Sequence, residues 1–208
     1  MKRNVQQSRT RAAERLTDGG NPALNFINTQ RRNRKGSLYD LLDNFGDFLY
    51  WCQQTSLISW ERYQELDLES RCYEEEARKA FGTLRSARTT LEEIFVSLMK
   101  REEVYPLWLE RLNDYVDRVR PHLHYDNGVN GLQQYWHDID EQIHFPFWLI
   151  INEACTLINS GRWRQIKQCP VCKQLFLDTS RACNRTWCSP QTCGSIKKSQ
   201  RYYKLKVA

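Results

Sequence analysis

The sequence predicts a mainly α chain: a helical N-terminal domain with one small β-hairpin, then a small C-terminal module rich in cysteine. Three observations predict it. Apolar residues recur at steps of three and four through most of residues 37–160. Five of the 8 cysteines fall between positions 169 and 193. Charge is segregated: residues 1–35 hold 9 Lys/Arg against 2 Asp/Glu, residues 36–160 hold 11 against 22, and residues 161–208 hold 11 against 1.

The 208 residues are 40% hydrophobic and include 7 Trp, 10 Tyr and 8 Phe, enough bulky side chains to exclude wholesale disorder. The longest uncharged apolar run, Phe145 to Ile151, is far short of the roughly 20 residues of a membrane helix. The first thirty residues contain no apolar stretch of a secretory signal. The expectation is a cytoplasmic protein with no membrane partner, whose cysteines are thiols or metal ligands rather than disulfides.

Within the body, Ser37 is read as the N-cap of a helix carrying Leu38, Leu41, Leu42, Phe45, Phe48, Leu49 and Cys52 on one face. A short helix begins at Ser59 with Trp60 and Tyr63 inward. A long one follows through Ala77, Ala80, Phe81, Leu84, Ala87, Leu91, Ile94, Phe95 and Leu98, the strongest periodic signal of the chain. Pro106 suits the first turn of the next helix, with Trp108, Leu112, Tyr115, Val116 and Val119 inward and Pro121 at its end. Between His122 and Trp136 the pattern approaches alternation around Asp126-Asn127-Gly128, which predicts the hairpin. The last body helix takes Ile139, Ile143, Phe147, Ile150, Ala154 and Ile158 inward, is kinked or started late by Pro146, and stops at Gly161. The expected division is 1–160, its first 20 residues a basic arm, and 161–208.

The cysteines of the second part read as two metal-binding pairs. Cys169-Pro170-Val171-Cys172 lets two thiolates hold one tetrahedral ion from a tight knuckle, and Cys188 with Cys193 completes four sulfur ligands. Leu175, Phe176 and Leu177 read as a short strand between the pairs, with Ser189 and Pro190 opening a helix, a treble-clef-like arrangement. One structural Zn2+ is expected, with no open position for catalysis. Cys183 is a bystander or a competitor for the metal that would make the site oxidant-sensitive. Catalysis has no support elsewhere: His122, His124, His137 and His144 lack HExxH spacing, and no glycine-rich phosphate loop occurs.

These residues resemble the CGNR zinc-finger family of bacteria, in which an N-terminal stress-associated ABATE domain precedes the finger. The resemblance rests on Cys-Pro-x-Cys, Leu175 to Arg181, Arg185-Thr186-Trp187-Cys188-Ser189 and Cys193-Gly194, and in the body on Leu24-Asn25-Phe26-Ile27-Asn28-Thr29, Trp51, Leu84-Arg85 and Leu112-Asn113. The name-giving tetrapeptide reads Cys193-Gly194-Ser195-Ile196 here, without the family's Asn-Arg. The resemblance implies a transcription regulator with the finger as DNA-binding element and the body as sensing or assembling element.

Beyond Gly194 the chain can continue as a helix that places Lys197, Lys198, Arg201 and Lys204 on one broad face, with Gln200 beside them, while Arg181 and Arg185 sit on the preceding loop. Such a set can neutralise phosphates and read base edges of DNA, or serve RNA instead; the plain alternative is a solvated basic tail. A protein-interaction adaptor with a structural zinc module is the other reading. Asn25 and Asn28 lie in an apolar segment. They are satisfied by backbone groups at helix ends or, with Arg85, line a pocket for a small-molecule effector. No coiled-coil heptad is visible, which leaves a homo-oligomer open.

Overall fold

A computed structural model describes residues 16–32, 37–129, 131–139 and 142–207, excepting the side chains of Arg32, Arg201 and 203–207. Helix α1 (Pro22–Ile27) sits at the centre of the body. Asn21 caps it, its side-chain oxygen accepting from the N–H groups of Ala23 at 2.9 Å and Leu24 at 3.4 Å, and Pro22 fills the first turn. All of Ala23 to Ile27 is buried, a short helix enclosed on every side whose one polar member, Asn25, is hydrogen-bonded.

Strands β1 (Gln30–Arg32) and β2 (Leu38–Asp40) follow as an antiparallel pair, with Gln30 opposite Asp40. This corrects the expected helix start at Ser37. Leu38 and Tyr39 are exposed on the strand, and helix α2 (Phe45–Gln54) begins only after Asn44, whose side-chain oxygen accepts from the Asp47 N–H at 3.0 Å. Asp47 reaches back to the Asp43 N–H, also at 3.0 Å, so the cap is reciprocal.

Helix α3 (Trp60–Cys72) is capped by Ser59 as expected, but only Leu66 is buried on it, and Trp60 is exposed and stacked on Tyr63. The 27-residue helix α4 (Glu74–Lys100) buries Ala77, Ala80, Leu84, Ala87, Leu91, Ile94 and Phe95, the face its periodicity predicts. Helix α5 (Pro106–Val119) packs on it, burying Tyr115 and Val119. The hairpin of β3 (Leu123–Gly128) and β4 (Gly131–Trp136) pairs Leu123 with Trp136. Its turn falls after Gly128, so Asp126-Asn127-Gly128 extends the strand. Helix α6 (Phe145–Asn159) starts late, with Pro146 in its first turn, and ends before Gly161, which takes a left-handed φ of 70°.

The body core gathers around Phe26, Phe48 and Trp51, whose ring centroids are 5.9 to 6.1 Å apart, and around Leu91, Phe95, Ile150, Ile151 and Ala154. A 3-10 turn (Arg162–Gln165) leads into the second part. There β5 (Ile166–Gln168) pairs antiparallel with β6 (Leu175–Leu177), and a π-helical turn (Pro190–Gly194) runs into helix α7 (Ser195–Val207). The two-residue period of β6 divides its side chains. Leu175 and Leu177 join the body core, while Phe176 joins a second cluster around Cys169, Cys188 and Cys193. The mainly α fold with small hairpins and a small C-terminal metal module is as the sequence predicts.

Candidate metal centre

Cys169 and Cys172 bracket a knuckle closed by two backbone bonds, Cys169 N–H to Gln174 C=O at 2.9 Å and Lys173 N–H to Cys169 C=O at 2.8 Å, with Lys173 in the left-handed region at φ 64°. Cys188 precedes the π turn and Cys193 lies within it. Pro190 opens that turn, and Ser189 supplies its backbone carbonyl to the Gly194 N–H at 3.0 Å rather than a side-chain cap.

The four sulfurs lie within 4.8 Å of one another, with Cys172 to Cys188 at 3.6 Å and Cys188 to Cys193 at 3.7 Å. A tetrahedron with Zn–S bonds of about 2.3 Å has edges of about 3.8 Å, so the donor set fits zinc in both spacing and chemistry. Hydrogen bonds from Cys172 and Cys188 hold the Cys169 thiol far below its ordinary range, and its thiolate in turn pushes Cys172 up to about 12 and Cys188 higher. One structural zinc ion, held by Cys169, Cys172, Cys188 and Cys193, replaces those shared protons and closes the module. Cys183 stands outside this set. It is exposed, with φ 46° and its sulfur 4.0 Å from the Asp178 carbonyl.

Asp178 organises the loop between the pairs. Its buried carboxylate accepts from Lys167 Nζ at 2.6 Å, the Ser180 hydroxyl at 2.6 Å and the N–H groups of Ser180 and Arg185 at 3.0 and 2.8 Å. Burial pushes its pKa up, but these donors outweigh burial and hold it well below the usual carboxylate range. Lys167 Nζ also donates to the carbonyls of Cys183 at 2.5 Å and Arg185 at 3.3 Å, tying β5 to the loop. Sequence reasoning missed this residue, although Asp178 is the sole acidic side chain of 161–208, a signal that it answers a specific partner.

The module docks on the body through amides. Asn28 donates from Nδ2 to the Leu175 carbonyl at 2.7 Å and accepts the Leu175 N–H at Oδ1 at 3.1 Å, while its own carbonyl takes Gln174 Nε2 at 3.2 Å. Leu177 N–H donates to the Gly19 carbonyl at 2.8 Å, and Gly19 N–H to Asn25 Oδ1 at 2.9 Å. A Cβ on Gly19 would stand 2.7 Å from that oxygen, which explains the glycine. Asp18 Oδ2 lies 3.9 Å from the sulfur of Cys188, so the body reaches the edge of the metal site.

Asn25 and Asn28 are thus spent on backbone partners. The structure does not bring Arg85 to them, since it is exposed on α4. The buried arginine of that helix is Arg88, bonded to Thr29 Oγ1 at 2.7 Å and to both carboxylate oxygens of Asp40. Among the described residues the three expected to line a pocket, Asn25, Asn28 and Arg85, are not brought together. Nor do the histidines gather on a metal: His122 stacks on Trp148 with centroids 3.8 Å apart, and His124 on His137 at 4.9 Å.

Of the expected phosphate-facing residues, Lys197, Lys198 and Gln200 are exposed on α7, and Arg181 is exposed on the loop. Arg201 and Lys204 lie on the same helix, their side chains outside the described residues. Arg185 departs from the expectation. Its guanidinium donates to the Leu177 carbonyl at 2.9 Å and lies 4.7 Å from the Phe176 ring centre, so it braces the strand instead of facing outward.

Among the described residues, no helix is long and apolar enough to cross a membrane. No curated protein matches the chain. Two family models do: one of the ABATE domain, described as a "putative stress-induced transcription regulator", over residues 20–161, and one of the CGNR zinc finger over residues 165–206. Neither describes an enzyme family. Since the first covers more than half of the sequence, the chain belongs to the ABATE family and carries a CGNR zinc finger behind that domain.

Proposed function

We propose that this protein is a zinc-dependent, DNA-binding transcriptional regulator whose α7 carries the main nucleic-acid contacts. The observation that supports it best is the continuity between metal and helix. Cys193 lies in the π turn that passes directly into α7, so zinc fixes the orientation of a helix bearing Lys197, Lys198, Gln200, Arg201 and Lys204. A preoriented cationic helix neutralises phosphates without the ordering cost of a loose tail. Arg181 adds a backbone contact from the loop, and Arg185 supports β6. The regulator family matched by the body favours DNA over the other polyanions.

Titration of fluorescent duplex DNA with the zinc-loaded full chain at several salt concentrations tests this. Five phosphate contacts, four from α7 and one from Arg181, give a slope of log affinity against log salt of about −4 to −5. Stripping zinc abolishes most of the affinity. Absence of salt-dependent duplex binding, or a stronger preference for single-stranded or structured RNA, would overturn the assignment.

A further inference from the structure

A cavity of about 500 Å³ opens where the end of α4 meets the 3-10 turn that leads into the finger. Its walls are Leu98, Met99, Arg101 and Glu102 on one side and Trp163 and Arg164 on the other. That volume falls within the range of small-molecule sites, and the lining divides by chemistry. Leu98 and Met99 are apolar. Trp163 offers a half-buried indole with the Arg164 guanidinium carbon 4.5 Å from its ring centre. A planar heterocycle stacks on an indole, and a guanidinium plane adds a cation–π contact.

The charges favour an anion. Neither Arg101 nor Arg164 has a carboxylate within ion-pair distance among the described residues, although residues 36–160 carry twice as many acids as bases. Among the described residues the Arg164 guanidinium makes one long hydrogen bond, to the Gly161 carbonyl at 3.4 Å. Glu102, the one acid of the lining, lies 3.8 Å from Lys100.

Arg101 is also an unusual choice for its backbone. It closes α4 in the left-handed conformation, φ 61° and ψ 34°, its N–H donating to the Leu98 carbonyl at 3.0 Å and the Glu102 N–H to the Ser97 carbonyl at 2.9 Å. Glycine commonly takes this position because it lacks the Cβ that makes the conformation costly. The cap bonds are backbone bonds and do not use the arginine side chain.

We propose that this cavity binds a small aromatic anion of mononucleotide size, its heterocycle lying against Trp163 and Arg164 and its phosphate on Arg101. The site goes beyond the DNA-binding reading and stands without it, since it uses none of the α7 residues.

The test is calorimetric titration of zinc-loaded full-length protein with AMP, with adenosine and inorganic phosphate as separate arms. The expected result is saturable binding of one AMP per chain, with adenosine and phosphate each at least about tenfold weaker because each satisfies half of the lining. Arg101→Gly keeps the helix cap and is expected to melt no lower than the parent, with unchanged zinc content, yet to lose at least about tenfold in AMP affinity. Failure of AMP to bind, equal affinity of Arg101→Gly, or phosphate alone binding as tightly as AMP would each overturn the proposal.

Discussion

The side-chain amide of Asn28 pairs with both the N–H and the C=O of Leu175, donating at 2.7 Å and accepting at 3.1 Å across 147 positions of sequence. It acts as one rung of a strand, extending the edge of β6 into the body. Zinc finger and helical domain therefore share a buried hydrogen-bonded seam as well as an apolar one.

Removing that rung is expected to destabilise the whole chain. Asn28→Ala leaves the Leu175 N–H and C=O buried without partners, at about 1–3 kcal/mol for each orphaned group if no water enters. A loss of about 2–6 kcal/mol in denaturant unfolding is expected, with faster amide exchange at Leu175 and Leu177. Asn28→Asp should be no milder, because it keeps the acceptor but places a carboxylate against the Leu175 carbonyl.

Zinc removal should be felt beyond the finger. Leu175 and Leu177 belong to the same cluster as Phe26 and Ile150, so a finger that opens exposes body core. The zinc-loaded chain is expected to melt in one transition. Chelation, or Cys188→Ser, should lower the melting temperature of the body helices followed by far-ultraviolet circular dichroism. An unchanged body transition would mean that the finger is an independent appendage.

How far the sequence disclosed this arrangement depended on how far apart the interacting groups lie along the chain. The α4 stripe from Ala77 to Leu98 was readable because a long helix repeats its buried face every three or four residues. The zinc ligands were readable because a knuckle and a turn fix their spacing locally. Leu38, Leu41 and Leu42 have helical spacing too, yet Leu38–Asp40 forms a strand, because Gln30–Arg32 supplies its partner and Arg88 draws Asp40 inward from 48 residues away. Local propensity lost to non-local bonds. The amides of Asn25 and Asn28 announced that partners must exist, but their partners Gly19 and Leu175 are ordinary backbone groups with no signature of their own.

Asp178 gives the stability a defined acid dependence. Its folded pKa is depressed below the unfolded value of about 3.9, so its contribution is complete above that pH and is lost as pH falls through the lower, folded pKa. Asp178→Asn forfeits the ion pair with Lys167, whose side chain is partly exposed, at about 1.5–3 kcal/mol. The stability difference between parent and variant should be constant near neutrality and shrink below about pH 4. A difference that grows with acid would contradict the assignment. Because the same carboxylate positions the Arg185 N–H and the Ser180 hydroxyl, the variant should also loosen the loop carrying Arg181.

The two faces of β6 offer a cleaner separation of roles than any substitution at the metal itself. Leu177 is 1% exposed and packs in the body core, whereas Phe176, its immediate neighbour and fully buried, packs on the cysteines. Leu177→Ala opens a cavity in the body and should cost about 2–5 kcal/mol, with zinc stoichiometry kept at one per chain. Phe176→Ala removes the ring that shields the sulfurs and stacks on Arg185, at about 3–5 kcal/mol, and should speed transfer of zinc to a chelator. Zinc release followed with a colorimetric chelator, beside denaturant unfolding of the same samples, compares the two. If Leu177→Ala accelerated zinc release as much as Phe176→Ala does, the alternation of β6 would not partition core from metal, and the seam would have to be treated as one undivided cluster.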